Sequence, residues 1–277
     1  MKKYFNGYVF KIWSSYFLTT ISILSFIAWF LPDIVNSIKY IIGGILLALL
    51  IVSYIGIAIY QSKCHIVHLT INNTKVNILF GDIFRQKGIK VIAFNEYFDS
   101  QVDDSVIDHA SLNGQVFDKG LIDKKAFDLS VQEDTSLETA GTNSNRIKGK
   151  KIKYKIGEIH KYNNEFFALS FTKFNKKNEA NLYSNEYSCC LLKMWRQLNT
   201  YYAQSIINVP LLGDGITRIL DNTSITKQEL LEIMLETLKI SKMTFKEPSE
   251  INIVLYPGDN NSNYKYFDFN KIKMMFK

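Results

Sequence analysis

The sequence predicts an α/β domain carried behind an N-terminal pair of membrane-crossing helices. Apolarity is concentrated in two long runs before residue 62, and beyond Gln61 the pattern changes to short strand-like runs mixed with two amphipathic helical patterns. At 277 residues, 47% of them hydrophobic, the chain suffices for one sizeable core with an appendage.

The first run, "IWSSYFLTTISILSFIAWFL" (12–31), carries no charge, and the second, "IKYIIGGILLALLIVSYIGIAIY" (38–60), has one cation near its start. About twenty uncharged residues let a helix cross a bilayer core. Joined by "PDIVNS", the two runs predict a transmembrane hairpin over 1–62. The first run is long for a signal peptide and lacks a small-x-small cleavage site. Lys2, Lys3 and Lys11 precede the first span and Lys63 follows the second, while Asp33 and Lys39 cancel in the link. The positive-inside bias therefore places both termini in the cytoplasm, as a two-span protein of the cell membrane. The hydroxyls of Ser14, Ser15, Thr19, Thr20, Ser22 and Ser25, with the Gly44–Ala48 pair, either allow close helix contact or only bond their own backbone.

The formal charge is +7, of which residues 1–62 supply +3 (four lysines against Asp33), leaving +4 for the rest. No basic stripe interleaved with aromatics accompanies it, which argues against nucleic acid. Cys64, Cys189 and Cys190 form no disulfide framework. Cys64, His65 and His68 lack a fourth partner for zinc, and His109 and His160 stand isolated in the sequence, so neither a metal centre nor a Ser/His/Asp set is legible.

Over 63–277 the segments "CHIVHLTI", "KVNILF", "IKVIAF", "KYKIGEIHKY", "EFFALSFTKF", "IINVPLL" and "INIVLYP" read as strands. Leu191, Trp195, Leu198 and Tyr202 share a face of a helix over Glu186 to Ala203. A second helix over Thr226 to Ile240 opens with Thr226 and Glu229 spaced as a capping box. A polar insertion, about 118–153, contains "ETAGTNSNRIKGKK", which reads as an exposed, solvated hairpin or, less simply, as a basic face touching a membrane.

Three strand exits carry candidate chemistry. "INVPLLGDGITRIL" reads as strand, Gly213-Asp214-Gly215, then a helix from near Ile216. That arrangement brings backbone N–H groups near a phosphate, or is merely a tight turn. "HASLNGQVF" (109–117) is a second glycine-containing loop following a strand. In "LFGDIFRQKG" Asp82 stands where a core strand leaves the interior, either accepting an exocyclic amine while the next N–H donates to a ring nitrogen, or capping a helix. Such sheets bind ligands beyond the carboxyl ends of their strands.

The ordered set "FGDIF", "VIAFNEYF", "SLNGQVF", "FFALSFTKFN", "EYSCCLLKMW", "NVPLLGDGITRI" and "INIVLYPGD" resembles a macro domain. It is most similar to the divergent macro branch that bacterial Thoeris antiphage systems fuse behind two transmembrane helices. The resemblance implies a mixed-sheet, three-layer α/β/α domain. It places Asp82 and Ile83 at adenine and Asn95 near the distal ribose. Ser111, Leu112, Asn113 and Gly114 then fall on a first phosphate loop, and Gly213, Asp214, Gly215 and Ile216 on a second. Two departures stand out. De-ADP-ribosylating macro domains carry Asn-Ala-Ala-Asn and a glycine triplet, whereas here Asn95 leads into Glu96-Tyr97-Phe98 and "SLNG" replaces the triplet; Asp214 stands where Ser or Thr is usual.

By that resemblance the chain is a non-catalytic effector without a cofactor. It would sense an ADP-ribose derivative, histidine-ADP-ribose made from NAD by a partner TIR-domain enzyme, then self-associate and damage the inner membrane in abortive infection. The alternatives are a membrane-anchored ADP-ribosyl hydrolase, with Asn95 orienting the ribose, and a domain with an empty cleft.

Overall fold

The computed structural model describes residues 7–30, 44–56, 66–175, 177–215, 217–221 and 225–276. The chain divides into two compact units, Met1–His65 and Ile66–Lys277.

In the first unit α1 (Gly7–Phe30) and α2 (residues 44–56) meet at Trp13. Its indole Nε1 donates to Leu50 O (3.3 Å) and Ser53 Oγ (3.1 Å), and its ring meets Tyr54 edge-on. Thr19, Thr20 and Ser22 donate to the carbonyls of Ser15, Tyr16 and Leu18, so these hydroxyls serve their own helix. A Cβ on Gly44 would meet nothing within 4 Å, so that glycine makes no close helix contact among the described residues. Among those residues, too, no helix is long and apolar enough to cross a membrane. The link and both ends of the second predicted span lie outside the described residues.

The second unit opens with the antiparallel hairpin β1 (Ile66–Ile71) and β2 (Thr74–Phe80), followed by a 3₁₀ turn (Ile83–Arg85) and β3 (Ile89–Asn95). Next come α3 (Leu112–Asp118), α4 (Lys124–Glu133), β4 (Thr139–Thr142), β5 (Ile152–Tyr154), β6 (Ile159–Lys161), β7 (Phe166–Phe174) and β8 (Ala180–Leu182). The chain continues through α5 (Ser184–Tyr201), β9 (Ile207–Pro210), β10 (Arg218–Ile219), α6 (Lys227–Ser241), β11 (Ile251–Leu255), a 3₁₀ segment (Asp259–Tyr266) and α7 (Phe269–Met275).

Nine of the described strands form one sheet in the order β1-β2-β11-β9-β3-β7-β8-β10, with β6 also on β7. Strands β2, β11, β9, β3 and β7 run parallel, and their near-continuous apolar runs suit strands covered on both faces. Along β3 the side chains alternate: Ile89 and Val91 join one cluster, Ile92 and Phe94 the other. The first cluster packs α5, α6 and α7 through Trp195, Leu198, Leu235 and Ile272; the second packs α3 and α4 through Val116, Phe117 and Phe127. The domain is therefore a mixed-sheet, three-layer α/β/α structure, and the predicted Thr226–Glu229 capping box opens α6.

Two points differ from the sequence reading. The polar insertion does contain an exposed hairpin, β4–β5, but it also supplies α4 and Arg146, whose side chain is only 6% exposed. Among the described residues no helix follows the second glycine loop directly; β10 pairs with β8 there and α6 begins only at Lys227.

A polar row crosses the sheet interior. Asn77, Asn252 and Asn208 lie in register on β2, β11 and β9. Asn77 Nδ2 donates to Asn252 Oδ1 (2.8 Å), Asn252 Nδ2 to Asn208 Oδ1 (2.9 Å), and Asn208 Nδ2 to Lys87 O (2.8 Å) and Ile89 O (3.0 Å). His68 Nδ1 meets Asn77 Oδ1 at 2.7 Å from the neighbouring strand. A one-residue slip would turn these amides to the other face and break every link. Asn252→Ala strands a buried donor on Asn77 and an acceptor on Asn208, and should cost about 2–4 kcal/mol. Urea unfolding should report this as a lower midpoint at unchanged m-value.

Candidate functional site

Because the five central strands are parallel, their carboxyl ends share one edge. Neighbouring strands lie about 4.8 Å apart, so the exits of β2 and β9, separated by β11, are about 10 Å apart. The Asp82 turn and the Gly213–Gly215 loop therefore flank the exit of β11, with the β3 exit beyond β9.

At the β2 exit Gly81 N donates to Leu255 O (2.9 Å), holding this exit against the end of β11. Asp82 Oδ1 accepts the Phe84 N–H at 2.9 Å and caps the 3₁₀ turn, the capping alternative that the sequence left open. Its Oδ2 lies 3.7 Å from the exposed Arg85 Nε and the side chain is 42% exposed, so half of the carboxylate still faces outward. Ile83 is buried beneath it. Tyr264 of the C-terminal segment stacks on Phe80 with ring centroids 3.8 Å apart. Tyr256, the residue just beyond β11, is 65% exposed.

At the β9 exit Tyr187 Oη donates to Leu212 O (2.9 Å), and Gly213 adopts φ +87° with Leu230 close to where a Cβ would stand. Asp214 is paired with Lys227, Nζ to Oδ1 at 2.6 Å; burial raises its pKa and Lys227 opposes that shift. Gly215 completes the turn, and Ile216 lies outside the described residues.

The first phosphate loop takes a different form from the expected open loop. Ser111 caps α3, its Oγ accepting the Gly114 N–H (3.1 Å) and donating to Asp108 O (2.6 Å), and Leu112, Asn113 and Gly114 are already helical. Asn113 is buried, its Oδ1 2.6 Å from Ser111 Oγ, and Gly114 lies against the Asp108 carbonyl, where a Cβ would not fit.

The β3 exit is closed. Asn95 is 2% exposed; its amide donates to Asp99 Oδ2 (3.0 Å), and its oxygen accepts the N–H groups of Tyr97 (3.0 Å) and Asp99 (3.3 Å). Asp99 in turn accepts Arg146 Nη2 (2.7 Å) and the Lys150 N–H (2.7 Å). Gly149 is required at this crossing, since a Cβ would meet Asp99 Oδ1 at 2.8 Å. Arg146 lies over the Tyr97 ring, 3.8 Å from its centroid, and Lys153 pairs with buried Glu96 at 3.0 Å. The side chain expected near a ribose is thus consumed in a knot tied by the insertion.

Residues 76–256 match the family model described as Thoeris protein ThsA, Macro domain. The chain belongs to this family. Thoeris protein ThsA of Bacillus amyloliquefaciens (strain Y2) is 38% identical over 241 residues, covering 85% of this chain and 78% of its own length. An Oceanobacillus iheyensis macrodomain with ADP gives a TM-score of 0.46 at 13% identity, over 76% of this chain and 96% of that one. The same macrodomain with MES bound gives 0.46 at 12%, again over 76% and 96%. Membership of the ThsA macro-domain family rests on the sequence matches, and these weaker likenesses carry no argument.

Outside the carboxyl edge, one constellation was invisible in the sequence. His160, read there as isolated, places Nδ1 at 2.6 Å from Asp134 Oδ2 and Nε2 at 2.9 Å from Ser130 Oγ, beside a cavity of about 370 Å³ lined also by Glu133, Lys161 and Tyr201. The distances fit a nucleophile, a base and its orienting acid. The field does not suit one, because Ser130 and Asp134 sit at the C-terminal end of α4, whose carbonyls and Glu133 oppose a developing oxyanion. Ser130 Oγ also donates to Phe127 O at 2.8 Å. His109, too, is partnered, by Asp118 at 2.6 Å. Cys64 and His65 lie outside the described residues, and among those described no group of three or more His, Cys, Asp or Glu would hold a metal ion.

His160 therefore acts as a buried tie between α4 and β6. Burial lowers its pKa from 6.5, outweighing Asp134. On acidification the unfolded chain takes up this proton first, so the contribution to stability is whole above about pH 6.5 and is lost as pH falls through the folded value. Urea midpoints measured below pH 6.5 should decline with pH, and more weakly for His160→Gln.

Proposed function

We propose that the domain is a ligand-sensing, non-catalytic module that binds an ADP-ribose-type nucleotide at its carboxyl edge. One observation carries the reading: the half-exposed Asp82 and the Gly213–Gly215 loop lie at the same edge, about two strand spacings apart. The outward Oδ2 of Asp82 would accept the adenine amine while the Ile83 N–H donates to a ring nitrogen. The loop after β9 would receive the diphosphate, and the exposed Tyr256 follows β11, the strand between the two exits. Commitment of Asn95 to Asp99 supports sensing over hydrolysis, because the group that would orient a distal ribose for attack is buried and already engaged by Asp99 and the Tyr97 N–H.

The finer reading follows the Thoeris systems that the sequence resembles. The signal would be histidine-ADP-ribose, made from NAD by a partner TIR-domain enzyme, and the response would be self-association and disruption of the inner membrane. The helix pair supports this part: Tyr16, Leu18, Phe26, Leu47, Leu49 and Val52 are each about 60% or more exposed on it. Apolar surface of that extent calls for lipid or further copies around it. Binding would promote assembly only by favouring the assembled state.

Calorimetry on the detergent-solubilised full chain should detect ADP-ribose binding without turnover. Asp82→Asn keeps a competent cap but presents an amide where the carboxylate met the amine, and should weaken binding about tenfold to a hundredfold. Equal affinity in the variant would return Asp82 to capping alone.

A further inference from the structure

Asp214 is a carboxylate in the middle of a loop otherwise shaped to receive an anion. The backbone bends there through Gly213, and a Cβ on Gly215 would meet nothing within 4 Å among the described residues. The carboxylate itself is not outward: its side chain is 20% exposed and its Oδ1 holds Lys227 Nζ at 2.6 Å. Lys227 lies 13 residues away, at the start of α6, and is 27% exposed. The same ammonium stands 5.6 Å from the centroid of the Tyr266 ring, on the C-terminal segment. A cation held by one acid and faced by one aromatic ring is already in place at the loop, with an internal anion as its partner.

We propose that Lys227 is an anion-binding residue held in reserve by Asp214, and that a diphosphate entering the second glycine loop takes Lys227 from it. The identity of the ligand as a nucleotide diphosphate rests on the function proposed above. The exchange replaces one negative partner of Lys227 by another, so the ammonium is never left uncompensated. Asp214 must turn outward as the diphosphate arrives, because two anions at that distance repel. The Tyr266 ring keeps the ammonium near the loop during the exchange. Burial also raises the pKa of Asp214, which eases its release from the ion pair. The pair thus works as a lock that tightens selection: a neutral nucleoside cannot open it, and a diphosphate can.

The test uses the full chain in detergent, calorimetry, and two probes, inorganic pyrophosphate and ADP-ribose, with Asp214→Asn and Lys227→Met as variants. The ion pair is partly exposed, so both variants should melt close to the parent protein. Freeing the lysine with Asp214→Asn should tighten both probes roughly tenfold, and Lys227→Met should weaken both roughly tenfold and flatten the salt dependence. Weaker binding by Asp214→Asn would mean that the carboxylate itself touches ligand, and would overturn the lock. Unchanged affinity in both variants, with ADP-ribose binding still dependent on Asp82, would overturn the lock and leave the nucleotide reading standing. Pyrophosphate responding as expected while ADP-ribose is ignored would do the reverse. A folded parent protein that binds neither probe would overturn both.

Discussion

Asn77, Asn252 and Asn208 pass hydrogen bonds across three parallel strands, and the position of the loops beyond those strands follows from that row. Asp82, Pro257 and Gly213 each stand five residues after their asparagine. With the register fixed, the three exits reach the edge together, and a chain separated by more than a hundred residues presents an acid and a glycine turn side by side. Buried amides are costly when unmatched, so the row rejects alternative pairings as strongly as it favours this one. His68 at one end and the carbonyls of Lys87 and Ile89 at the other close the row without leaving an amide unmatched.

A second constraint acts one strand further on. The insertion that looks solvated in sequence folds back, and Arg146, Lys150 and Lys153 meet Asp99, Asp128 and Glu96 around the β3 exit. A buried ion pair is weak support for stability on its own, since desolvation offsets much of the attraction. Its effect here is positional: Asn95 is fixed with all its hydrogen-bonding groups turned inward. Along the edge Asp82 is therefore left half-exposed, Asp214 is held by Lys227, and Asn95 is buried.

The central strands and the two long helices α5 and α6 were legible because their signals are local. By contrast, β8 and β10 are too short to register, and the run "KYKIGEIHKY", read as one strand, is broken at Gly157 into β5 and β6. The Thr226–Glu229 spacing and the apolar runs of β3 and β7 carry their own meaning within a few residues. Helices α3 and α4 were missed because short polar helices bury only one or two large side chains each, such as Phe117 and Phe127, and leave little periodicity. Arg146 was hidden among lysines, and its burial depends on Asp99, nearly fifty positions earlier. The Ser130–Asp134–His160 set and the Lys227–Asp214 pair were invisible for the same reason, being products of tertiary contact. At Asp82 the capping alternative is seen directly, while the second carboxylate oxygen lies 3.7 Å from the exposed Arg85 Nε.

The central claim is that one edge of the sheet, and not the cavity beside His160, is where this family member meets its ligand. Hydrogen–deuterium exchange of the full chain with and without saturating ADP-ribose addresses it most directly. The account predicts slower exchange confined to the segments 81–85, 211–215 and 256–266, with the α4–β6 region unchanged. Protection centred on Ser130 to Ser136 and His160, with the carboxyl-edge loops exchanging as before, would contradict it.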